Sequence, residues 1–70
     1  MLAPAQWERL ARLEHRRWMA DRIDRGWRFG ETRDARNRRH PSLVPWEALG
    51  ETERSKDLEV VRVLLNLAST

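Results

Sequence analysis

Apolar side chains recur with a helical period at both ends of the chain and lose that period in the middle. From Pro4 to about Arg25, Trp7, Leu10, Ala11, Glu14 and Trp18 fall on one face at about 100° per residue, with Asp21 and Arg22 flanking it. Leu13, Ala20 and Ile23 lie elsewhere, so this helix should be contacted on more than one side. Pro4 suits a helical first turn, where its missing N–H costs nothing. Gly26 supplies the stop, and Arg22 and Arg25 place positive charge in the last turn.

Between Trp27 and Trp46 the periodicity vanishes. Trp27-Arg28-Phe29 and Leu43-Val44 are short runs of strand-forming residues and predict a two-stranded ribbon. The polar residues 30–42 connect them, and a connection that long in so small a domain is either functional or disordered. Tryptophans at both edges favour order. After Gly50, Glu51 and Glu53 predict a second helix N-terminus, with Asp57 as an alternative start. Leu58, Val61, Leu65 and Ala68 form its stripe, which Val60, Leu64 and Leu67 widen. A helix apolar around so much of its girth is normally covered on two sides, and one other long helix cannot cover it all. Self-association is the expected remedy.

The predicted fold is therefore mainly α: two principal helices with a short two-stranded β element, one small domain over residues 1–70, paired as a two-fold dimer. Seventy residues make only a small core, and without cysteine no disulfide or thiolate metal site can reinforce it. Two histidines argue against structural zinc. The core must come from side chains, foremost Trp7, Trp18, Trp27 and Trp46. No apolar run approaches a membrane span and no charged-then-apolar leader is visible, so the expected location is cytoplasmic.

The net charge is only +3, from 14 basic and 11 acidic residues, and every basic residue except Lys56 is arginine. Arginine offers a planar fork that grips carboxylate or phosphate with two hydrogen bonds. Arg33, Arg36, Arg38, Arg39 and His40 cluster in the central connection, offset by Asp34. A polynucleotide surface is disfavoured by the weak total charge and by Glu8, Glu14, Asp21 and Asp24 among the arginines of the first helix. A small phosphorylated ligand needs only two or three such cations.

Enzymatic arrangements are not evident. Ser42 and Ser55 lack a His/Asp constellation, Glu14 and His15 are adjacent and point apart on a helix, and Gly26 and Gly30 form no phosphate loop. Glu14 on the buried face needs a partner, and Arg17 is the nearest candidate. His15 reads as a core or cap histidine, with a role in a ligand pocket as the alternative. Trp7 and Trp18 read as core by spacing. Trp27, after a glycine and before a polar loop, is the ring best placed to stay partly open.

The string Leu13-Glu14-His15-Arg16-Arg17-Trp18, followed by Gly26-Trp27-Arg28-Phe29-Gly30, Arg33-Asp34 and His40-Pro41-Ser42-Leu43-Val44-Pro45-Trp46, resembles the ryanodine receptor repeat, or RyR domain. Leu49, the acidic stretch after it and Lys56-Asp57 continue the likeness, which spans about residues 9–67. The resemblance implies a small helical unit with a short β element, used in two-fold pairs. It also implies a non-catalytic ligand-binding or sensor module without a cofactor or metal, possessing an adenine-nucleotide or ADP-ribose-like site. Trp27 would stack on the ligand, Arg33 would contact its phosphates, and His15, Trp18, Arg22 and His40 complete the expected site. Departures from the family pattern are Ala35 and Asn37 in place of an acid and a lysine, and Phe29 in place of tyrosine. The expected partners are a second copy of the chain, a nucleotide-like molecule and a fused or associated effector, with neither nucleic acid nor membrane. The competing reading is a structural or protein-interaction module with no small-molecule ligand.

Overall fold

The computed structural model describes residues 2–68. Helix α1 spans Pro4–Asp24, strand β1 Arg28–Phe29, strand β2 Arg39–His40, a 3₁₀ turn Trp46–Ala48, and helix α2 Glu51–Ala68. The mainly helical fold with one small β element is as the periodicity predicts. Pro4 opens α1, and the Gln6 side chain reaches back to accept the Ala3 N–H at 2.7 Å.

The end of α1 is a complete Schellman motif. The Gly26 N–H donates to Ile23 O at 3.0 Å and the Trp27 N–H to Arg22 O at 2.9 Å. Gly26 has φ +89°, a left-handed conformation that a side chain would penalise. Gly30 is needed for a different reason, because a Cβ there would lie 2.6 Å from that of Arg39.

The ribbon differs from the expected one. β1 pairs in parallel with β2, Arg28 opposite Arg39 and Phe29 opposite His40, and Leu43-Val44 form no strand. The cause is a tight turn inside the connection. The Asp34 carboxylate accepts both the Asn37 N–H and its side-chain amide, and Asp34 and Arg39 exchange backbone hydrogen bonds of 2.9 Å. That turn, closed by Arg38 at φ +55°, delivers residues 39–40 to β1 before the chain reaches Leu43.

The core centres on Ala11 of α1, Trp46 and Leu49, with Val44 and Leu58 packed against them. Ala11 leaves room for the indole. Trp46 also lies beneath the guanidinium groups of Arg12 and Arg54, 5.9 and 5.3 Å from the ring centroid. Arg54 ties α2 to the 3₁₀ turn by donating to Trp46 O at 3.1 Å and Glu47 O at 3.2 Å. Much of α2 remains uncovered: Val60, Val63 and Leu64 are 41%, 47% and 55% exposed.

Candidate functional site

A cleft of about 420 Å³ opens where α1, the segment after β2 and α2 converge. Glu14, His15 and Trp18 form its α1 side, and Arg33, His40 and Ser42 come from the central connection. Glu53, Lys56 and Asp57 come from α2. The Trp18 and His40 rings meet edge to face with centroids 5.0 Å apart, and His15 stacks on Trp18 at 5.8 Å.

His15 is 2% exposed and joins three segments of chain. Its Nε2 lies 2.7 Å from Val44 O, and because a carbonyl only accepts, that nitrogen carries a proton. Nδ1 faces Asp57 Oδ2 at 3.5 Å. Burial pushes the Asp57 carboxyl above its ordinary range; Glu14 and Glu53 push the same way, while His15 opposes. Glu14 is the reverse case. Arg17 grips it with bonds of 2.6 and 2.9 Å, holding it below the usual carboxylate range although its side chain is largely covered.

His40 accepts the Ser42 N–H on Nδ1 at 3.0 Å, which puts the neutral ring's proton on Nε2. Desolvation first, then the charges of Arg33, Arg22 and Lys56, hold it below the ordinary imidazole value, against the pull of Glu53. The Ser42 hydroxyl donates to Glu53 at 3.3 Å, and Lys56 pairs with Glu53 at 3.2 Å.

Of the six residues the sequence nominates, His15, Trp18, Arg33 and His40 line this cleft. Trp27 and Arg22 lie outside that lining. Trp27 sits with its centroid 6.2 Å from His40, and the Arg22 guanidinium lies 5.6 Å from its ring. Two arginines of the expected cluster, Arg38 and Arg39, are engaged on main-chain carbonyls instead. Arg38 donates to Arg25 O at 3.3 Å and Arg39 to Asn37 O at 3.0 Å, and outside the cluster Arg28 of β1 donates to Trp27 O at 2.7 Å. The hollow is thus of mixed sign rather than purely cationic.

Glu53, Lys56 and Asp57 were not nominated by sequence. α2 draws attention for its apolar stripe, yet these three share a helix face with Val60 at the edge of that stripe, and their i, i+3, i+4 spacing was the available signal. Among the described residues no helix is long and apolar enough to cross a membrane, and no cluster of three or more potential metal ligands occurs.

The family model described as the RyR domain matches residues 4–69. With nearly its whole length matched, the chain belongs to the RyR domain family.

Proposed function

We propose that this domain is a non-catalytic sensor module whose cleft binds a nucleotide-like small molecule, an adenine nucleotide or an ADP-ribose derivative. The observation that carries the reading is the meeting of the Trp18 and His40 rings with the Arg33 and Lys56 cations around one cleft. Stacking a base on an aromatic side chain is worth about 1–3 kcal/mol, and two cations are sufficient for a phosphate. Asp57 and Glu53 add acceptors suited to an amino group on the same ligand. Trp27 lies tilted beside the His40 ring, centroids 6.2 Å apart, outside the cleft lining. Binding would act by favouring one arrangement of the central connection or of a paired assembly, since a ligand shifts only states it binds unequally. A fused or associated effector in the cytoplasm would read that shift.

Titration of ATP, ADP-ribose, cyclic ADP-ribose and cyclic dinucleotides, followed by tryptophan fluorescence, tests the reading. At least one should give a saturable change. Arg33→Glu should weaken that binding tenfold or more, because a charge-assisted hydrogen bond is worth about 1.5–3 kcal/mol. Silence from every compound with the folded protein would remove the proposal.

The uncovered face of α2 favours the second reading, in which assembly is itself the role. We propose that a second copy of the chain covers Val60, Val63 and Leu64. The neighbouring groove, lined in part by Leu10, Val61, Leu64 and Leu65, would receive side chains of that copy. Sedimentation velocity should show a dimer in the micromolar range that Leu64→Asp converts to monomer. A wild-type monomer at several hundred micromolar would contradict it.

A further inference from the structure

A second groove, of about 590 Å³, lies along a different face of α1 from the cleft. Arg9, Arg12 and Arg16 stand along it, and Leu13, Met19 and Trp46 contribute its apolar surface. We infer that this groove docks an acidic segment of a partner protein, one that carries an apolar side chain between two carboxylates.

The charge is the first reason. Glu47 is the one carboxylate of the groove lining, and it is taken by Arg12 at 3.0 Å. The guanidinium groups of Arg9 and Arg16 have no hydrogen-bond or ion-pair partner among the described residues. Three guanidinium groups on one helix face repel one another, and an acidic occupant relieves that repulsion.

The apolar surface is the second. Leu13 is 51% exposed in the middle of the arginine row, an arrangement that wastes apolar area unless something covers it. It also argues for a peptide over a nucleic acid. Leu13 and Met19 are aliphatic and offer no stacking platform, while the Trp46 ring is already covered by Arg12 and Arg54.

Spacing is the third. At about 1.5 Å per residue, Arg9 and Arg16 are roughly 10.5 Å apart along α1. An extended peptide places side chains of one face about 6.6 Å apart, so alternate positions over five residues span roughly 13 Å. The sequence acidic–x–apolar–x–acidic therefore sets a carboxylate near each outer arginine and its apolar side chain over Leu13. Arginine side chains cover the remaining difference.

Display of random twelve-residue peptides against the full chain tests this directly. Wild-type protein should enrich the acidic–x–apolar–x–acidic pattern. Fluorescence anisotropy of the recovered peptides should then show at least tenfold weaker binding to the Arg9→Glu/Arg16→Glu variant and to Leu13→Ser, with far-UV circular dichroism unchanged. Failure to enrich, enrichment without acidic residues, or binding indifferent to these substitutions would overturn the inference. So would tighter binding of a twelve-nucleotide single strand that the same substitutions abolish. The cleft takes no part in this experiment, so its nucleotide titrations stand or fall separately.

Discussion

Trp46→Ala is expected to leave the chain largely unfolded at room temperature. The indole is 7% exposed and is the largest member of the Ala11–Trp46–Leu49 cluster. Truncating a buried tryptophan costs about 3–5 kcal/mol, and the single core of a domain this short rarely supplies more than about 3–5 kcal/mol in total. The loss extends beyond the cavity. Arg12 and Arg54 lose the ring they cover, and the His15 ring loses its edge contact with Trp46 at 6.3 Å. Trp46→Phe separates volume from polarity, because the indole Nε1 is buried and has no hydrogen-bond partner. Phenylalanine removes that donor while keeping a ring, so its cost should be about 1–2 kcal/mol. Urea denaturation followed by circular dichroism measures both. Equal stability of the alanine variant and the wild type would show that the cluster is not the core.

His15→Leu should be the next most damaging change, at about 2–4 kcal/mol. It leaves Val44 O without its donor and Asp57 with no ring beside it. Asp57→Asn should behave oppositely. Folding raises the Asp57 pKa, so the folded state holds that proton more tightly than the unfolded chain. The resulting stabilisation is complete below the unfolded carboxyl value and is lost as pH rises through the folded one. At neutral pH the ionised, partly buried carboxylate therefore burdens the fold. Asparagine removes that charge and can donate to Nδ1. The variant should match or exceed wild-type stability at pH 7–8, and its advantage should shrink on acidification. Denaturation series at pH 4, 6 and 8 test the sign. A loss from Asp57→Asn as large as that from His15→Leu would mean that charge attraction holds the pair, and that the ionised carboxylate stabilises the fold.

Both helices were legible because period and punctuation agree. The apolar spacing of α1 is bracketed by Pro4 and Gly26, and α2 follows Gly50 with acids in its first turn. The partner of β1 was not. Leu43 and Val44 have strand-forming side chains, and propensity favours them over Arg39-His40. Turn chemistry decided otherwise, since Asp34 and Asn37 close the chain early, and the spacing of that pair was visible in the sequence. Val44 is then used through its carbonyl, which accepts the hydrogen bond from His15 Nε2–H, a role no side-chain pattern announces. For the cleft, His15, Trp18, Arg33 and His40 could be named because they stand in or beside recognisable motifs. Glu53, Lys56 and Asp57 were passed over although Lys56-Asp57 belong to the family likeness, because their share in the cleft exists only once α2 lies against α1.

Within the central connection Arg38 grips Arg25 by its carbonyl oxygen at 3.3 Å, and Arg28 of β1 holds Ile23 the same way at 3.3 Å. Every amino acid supplies that atom, so the clasp is blind to side-chain identity at the anchoring positions. Exchanging the side chain at position 23 or 25 therefore leaves the fastening whole, whereas Gly26 and Trp27 beside them stay tied to their own backbone and ring contacts.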